Sequence, residues 1–180
     1  MKLHLGCGKR YLDGFVHVDL AEFDHVDFIT TLGNLEMIDA ESVDEIYSSH
    51  AFEYYDRFAG LEVLKEWRRV LKWGGKIFLT VPDFDQLISI YAETKDLSKV
   101  IGPLFGRWDI NQSFHYHKTV YNFTTLRNSL SEVGFREIKR FDPTEYLSSI
   151  DPNFDDHSLA FYPHMDKNGI PVSLAISALK

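Results

Sequence analysis

Ten residues lie between Gly8 and Asp19, and that interval constrains the chain more than any other feature. Before it, Leu3 and Leu5 sit in a short apolar run that stops at Gly6-Cys7-Gly8. After it, Phe15 to Leu20 form a second apolar run with Asp19 near its end. Strand, glycine turn, strand, acidic residue is how an open parallel sheet builds a nucleotide site at the carboxyl ends of its strands. Glycines let the backbone approach a ligand where a Cβ would collide. A carboxylate at the tip of the next strand is placed to accept both hydroxyl hydrogens of a ribose. The plain alternative for Asp19 is a surface charge, but an acid ending an apolar strand is costly to keep without a partner, which favours the ribose.

A dinucleotide is the usual ligand of such a turn, and the spacing argues against it. The dinucleotide fingerprint G-x-G-x-x-G opens a helix whose N-terminus holds a pyrophosphate. Here Tyr11 stands at the third glycine position, and Asp13-Gly14 is a turn signal inside the interval. At most one helical turn fits, so a pyrophosphate would lose its main physical support. A nucleoside without phosphate needs no such helix, and S-adenosylmethionine is one.

Leu3-His-Leu-Gly-Cys-Gly8 followed by Val18-Asp19 resembles the first motif and acidic loop of the class I S-adenosylmethionine-dependent methyltransferases, in particular a short bacterial branch whose first helix is reduced. The resemblance continues in order through Ser42 to Glu53, Trp67 to Gly75, Phe78 to Asp83, His117-Lys118, Leu130 to Phe135 and Ser173 to Lys180. It implies an α/β fold: a Rossmann-like open twisted sheet of seven strands, mostly parallel with an antiparallel edge strand, in a three-layer sandwich. It also implies S-adenosylmethionine as cofactor, S-adenosylhomocysteine as product, and a small-molecule or sugar acceptor methylated at oxygen or nitrogen. The cofactor would lie against Gly6, Cys7, Gly8, Asp19, Leu20, Thr31, Leu32, Ser49 and His50. Two departures stand out. Thr31 occupies the place where the family commonly has an Asp for the adenine amino group, and Glu53-Tyr54 replaces the common Glu-His. They leave room for a second function class, a cofactor-binding or scaffold protein that keeps the fold without turnover.

One hundred and eighty residues, 44% of them hydrophobic, suit one domain with a sizeable core. A net charge of -8 works against a nucleic-acid substrate, because phosphate neutralisation needs clustered Lys and Arg. The basic cluster Arg68, Arg69 and Lys72 reads as the solvated face of a helix. Without a signal peptide or an apolar run near the roughly 18 residues of a membrane span, the expected location is the cytoplasm. One cysteine excludes an internal disulfide framework.

Along the chain, Val26 to Ile29 reads as a third strand and Asp44 to Ser48 as a fourth. Asp56 is placed to cap a helix striped by Phe58, Leu61, Leu64, Trp67 and Leu71 and ended by Gly74-Gly75. Lys76 to Val81 is a fifth strand, and Asp83 opens a further helix. Residues 96–123, with Phe105, Trp108, Phe114, Tyr116 and Tyr121, form either a lid or substrate-binding insertion or a structural loop pinned by its aromatics. A helix through Leu126 and Leu130 closes at Gly134. Phe135 to Phe141 and Val172 to Leu179 are the last strands, paired antiparallel, with 142–169 connecting them. As no segment precedes the first strand here, the pocket is expected to be covered by 96–123, by 142–169, or by a second subunit in a homodimer.

Methyl transfer from a sulfonium is an in-line displacement that asks the protein to align the nucleophile, exclude water and, for a hydroxyl, remove a proton. Cys7 reads as a small side chain folded under the turn rather than a nucleophile. His115 and His117 are the base candidates, with structural roles and a His-x-His metal site as their alternatives; no further ligands stand at a recognisable spacing, so no metal is expected. Asp83 is both a natural N-cap and a candidate to face substrate.

Overall fold

A computed structural model describes residues 1–110, 112–154, 160–163 and 168–180. Strands β1 (Lys2–Leu5), β2 (Val16–Asp19), β3 (Phe28–Ile29) and β4 (Val43–Ser49) precede helix α1 (Ala59–Val70), β5 (Leu71–Pro82) and α2 (Phe84–Thr94). The short helix α3 (Ile101–Phe105) leads into a hairpin of β6 (Trp108–Ile110) and β7 (Ser113–His115). Helix α4 (Phe123–Val133), β8 (Arg136–Arg140), α5 (Pro143–Ser148), the small ribbon of β9 (Phe161–Tyr162) with β10 (Ile170–Pro171), and β11 (Ser173–Leu179) complete the chain. Seven strands form one sheet in the order β3-β2-β1-β4-β5-β11-β8. All pairings are parallel except those of β11, which runs antiparallel to β5 and to the edge strand β8.

Alternation along the strands sorts side chains into two layers. Leu3, Leu5, Ile46, Ile77 and Leu79 face α1 and α4, where Trp67, Leu64, Leu126 and Leu130 complete the larger core. Tyr47 and Phe78 point the other way, onto Leu12, Phe15 and the α5 residue Leu147. His4 shares that second layer, 5.3 Å from the Tyr47 ring, and burial drives its pKa down to about 3, so it packs as a neutral ring. Between β1 and β2 the chain makes turns and no helix.

Three expectations change on folding. Helix α1 stops at Val70, before the glycines, because the fully buried Leu71 turns extended and pairs with Val43. Burial in the sheet outweighs one more helical turn, and Gly74 (φ 76°) only bends the start of β5. Phe58 is 68% exposed and lies off the packed stripe, whose inner face is Gly60, Val63, Leu64, Trp67 and Val70. Within the basic cluster Arg69 is tied down in the chain, whereas Lys72 stays exposed as expected. Arg69 donates to the Leu35 carbonyl at 2.9 Å, to that of Ile38 and to Glu66, while Lys72 pairs with Asp44. With the Trp67 indole N–H on the Leu32 carbonyl (2.9 Å), these bonds pin the loop after β3 to α1. Asp56 does cap that helix, its Oδ1 accepting from the Phe58 and Ala59 amides. The 142–169 connection includes α5 and β9, and residues 155–159 and 164–167 of it lie outside the described residues.

Candidate functional site

The carboxyl ends of β1, β2 and β4 meet at the glycine turn. Gly6 and Gly8 both have positive φ (71° and 55°). A Cβ on Gly6 would lie 2.3 Å from the Ala51 Cβ, so the approach of the loop after β4 requires glycine there. Over Gly8 the neighbour is Trp108 of the hairpin, whose Cη2 would be 3.0 Å from such a Cβ. Asp19 stitches the turn to β2: its Oδ2 accepts from the Gly8 amide and its Oδ1 from the Ala21 amide, both at 2.8 Å. The carboxylate thus satisfies amides of the turn itself, whereas the dinucleotide version of this turn aims backbone N–H groups at a pyrophosphate. A Gly6→Ala substitution combines the collision with backbone strain, and an unfolding titration should show a loss of roughly 2 kcal/mol or more.

Two clefts open at this turn and share Gly6, His50, Tyr54 and Trp108. The first, about 250 Å³, is walled by Asp19, Leu20, Thr31, Leu32, Ala51 and Tyr55, with Ile110, His115 and Lys118 on the hairpin side. The Tyr55 hydroxyl accepts from the Leu32 amide at 3.0 Å and so holds the Thr31–Leu32 loop against the cleft. The second, about 420 Å³, includes Cys7, Gly8, Arg10, Ser49, Lys99, Arg107 and His117 over a floor of Leu87, Ile90 and Val172. His50 stands between the clefts with φ 50°, an uncommon backbone for a side chain other than glycine, and its Nε2 lies 2.8 Å from the Ser173 hydroxyl.

Behind the junction lies Glu53, 1% exposed, with no hydrogen-bond partner for either carboxyl oxygen among the described residues. His50 Nδ1 and His117 Nε2 approach its Oε1 at 3.5 and 3.7 Å, beyond hydrogen-bond reach. Burial lifts its pKa to about 8, so at neutral pH it is an uncharged acid against two imidazoles rather than a salt bridge. Cys7 is buried and its thiol is pushed up to about 12 by desolvation and by Asp19, which leaves no thiolate for nucleophilic chemistry. Among the described residues, no group of His, Cys, Asp or Glu is placed to hold a metal ion, and no helix is long and apolar enough to cross a membrane.

Residues 3–79 match the family model described as "Methyltransferase domain". The matched stretch runs from β1 into β5 and carries the glycine turn and Asp19. The fold is that of a SAM-dependent methyltransferase from Archaeoglobus fulgidus (19% identity, 99% of this chain and 85% of that one, TM-score 0.58). It is equally like a possible histamine N-methyltransferase from Thermotoga maritima (18%, 99% and 81%, 0.58). A third likeness is to the 1,6-didemethyltoxoflavin-N1-methyltransferase of Burkholderia thailandensis, solved with its substrate and S-adenosylhomocysteine (13%, 99% and 70%, 0.56). No match is found among curated proteins.

Of the residues singled out from sequence, Gly6, Asp19, Leu20, Thr31, Leu32 and His50 line the first cleft, as does His115. Cys7, Gly8, Ser49 and His117 line the second. Asp83 lines neither. It is buried at the end of β5, caps α2 by accepting from the Asp85 amide, and faces Arg140 at 3.4 Å. Sequence reasoning missed Tyr55, Ala51, Arg10, Lys99, Arg107 and Lys118 as lining residues. Trp108 was visible only as one aromatic among several, and nothing in the spacing tied it to Gly8.

Proposed function

We propose that this chain is a class I S-adenosylmethionine-dependent methyltransferase that modifies a hydroxyl or amine on a small molecule or sugar, with the adenosyl end of the cofactor in the first cleft and the acceptor in the second. The observation that supports this is the meeting of two clefts of different character at one turn. Each Asp19 oxygen receives a single backbone N–H, which leaves lone pairs for a ribose hydroxyl. Leu20, Leu32 and Ala51 give apolar walls for a base, with Thr31 and the Tyr55 hydroxyl where relatives place a carboxylate. Ser49, His50 and the backbone of residues 6–8 border the methionine end. Bound there, S-adenosylmethionine supplies a methyl carbon already activated by its positive sulfur.

In this reading His117 removes the acceptor's proton. Its Nδ1 lies 2.9 Å from the Pro103 carbonyl, which can only accept, so the neutral ring carries its proton on Nδ1 and its lone pair on Nε2. Glu53 does not compete for that lone pair as a charge, and it can ionise once the imidazolium has formed. His115 serves the cofactor side, and the β6–β7 hairpin within 96–123 is the cover that keeps water out. Asp83 holds α2 in place.

In His117→Gln, product formation from a panel of hydroxylated acceptors should fall by about a hundredfold or more in kcat. Calorimetric affinity for S-adenosylhomocysteine should stay unchanged. Undiminished turnover would remove His117 from the chemistry. A wild-type chain that binds S-adenosylhomocysteine yet methylates no acceptor would favour the scaffold alternative.

A further inference from the structure

We infer that the acceptor is anionic, bearing a carboxylate or phosphoryl group that Lys99 and Arg107 receive, on an apolar body that lies over Leu87, Ile90 and Val172. The inference rests on reading the second cleft as the acceptor site. The chain has 27 acidic against 19 basic residues, yet the described lining of this cleft holds Arg10, Lys99 and Arg107 and no Asp or Glu. Arg10 belongs to the glycine-turn wall, where its amide donates to the Cys7 carbonyl at 3.1 Å, so it stands on the cofactor side. Lys99 and Arg107 come from the opposite wall, one ending the 3-10 turn Leu97–Lys99 and the other just before β6.

Both are positioned without being neutralised. The Lys99 ammonium donates to the Tyr162 hydroxyl at 2.9 Å, and the Arg107 guanidinium lies 4.1 Å from the centre of the Phe114 ring. Among the described residues neither side chain forms an ion pair, although Arg107 also borders a neighbouring cleft that holds Glu22, Asp24 and Asp109. The cofactor adds a sulfonium and an ammonium against a single carboxylate. An uncharged acceptor would leave Lys99 and Arg107 without an anion in the described lining of this cleft, whereas an anionic one supplies attraction at short range. The guanidinium fork suits either oxyanion.

Titration calorimetry on the chain saturated with S-adenosylhomocysteine tests this with two matched pairs: 4-hydroxybenzoate against 4-hydroxybenzamide, and phenyl phosphate against phenol. In one pair or both, the anion should bind about tenfold or more tighter than its neutral twin. Which pair responds distinguishes carboxylate from phosphoryl. The advantage should shrink between about 0.05 and 0.5 M salt, as screening shortens the reach of exposed charges. The Lys99→Met/Arg107→Met double variant should lose the advantage and keep its S-adenosylhomocysteine affinity, and Arg107→Lys should retain part of it. Equal affinities within both pairs, no binding of either anion, or an anion preference that survives in the double variant would overturn the inference. Failure of S-adenosylhomocysteine to bind the wild-type chain would instead overturn the reading of the clefts on which it stands.

Discussion

Asp19→Ala should lose both cofactor affinity and fold stability, and by more than a surface charge would account for. The carboxylate is 7% exposed and each of its oxygens receives a backbone N–H at 2.8 Å, from Gly8 on one side and Ala21 on the other. Removing it leaves two amides at a tight turn without acceptors, at about 1–3 kcal/mol each. An unfolding titration should therefore show a loss of roughly 3 kcal/mol. Calorimetry at a temperature where the variant is folded should show S-adenosylhomocysteine bound at least about tenfold more weakly, the equivalent of one lost charged hydrogen bond. Asp19→Asn keeps the shape and one acceptor but turns an amide N–H₂ toward a backbone donor, so its losses should be intermediate. A folded alanine variant that binds the ligand as tightly as the wild type would take Asp19 out of the site.

Glu53→Gln should do the opposite and stabilise the chain, increasingly so as pH rises. In the unfolded chain this carboxyl releases its proton near 4.5, whereas in the folded chain burial holds it to about 8. Between those values the folded state keeps a proton that the unfolded state has lost, so raising the pH favours unfolding. The stability is intact below about 4.5, falls through the window and is fully lost above about 8. At 1.36 kcal/mol per pKa unit the whole window amounts to about 5 kcal/mol. The groups facing the carboxyl are His50, His117, Tyr54 and Tyr121, and the phenols of the last two are themselves raised, mainly by burial and in part by Glu53. Melting curves of wild type and variant should coincide near pH 4 and separate progressively toward pH 9. Parallel curves across that range would mean that Glu53 meets water or a cation and titrates normally.

The sheet was legible because its strands are short and apolar and are punctuated by glycine, Asp-Gly and Pro-Asp signals. The place of Asp19 beside the glycine turn was legible because an acid that ends an apolar strand needs a partner; the partners the fold supplies are the Gly8 and Ala21 amides, which the spacing did not name. Other features had no such signature. Leu71 looks like the end of a helical stripe until its pairing with Val43 is known, and Arg69 looks solvated until the loop carbonyls it binds are in place. Arg10, Lys99 and Arg107 are too far apart in the chain to make a spacing motif, and the folded chain alone brings them to one cleft. Glu53 is an ordinary acid in sequence; its burial, and hence its proton, comes entirely from the packing of neighbouring elements. Asp83 shows the reverse, since its capping chemistry was plain from sequence while its distance from both clefts was not.

The indole of Trp108 rests on the glycine turn and borders both clefts. In the proposed reading a single ring therefore separates cofactor from acceptor. Trimming it, as in Trp108→Leu, would widen both clefts at once, so S-adenosylhomocysteine should exchange faster and the acceptor should bind more loosely in the same variant.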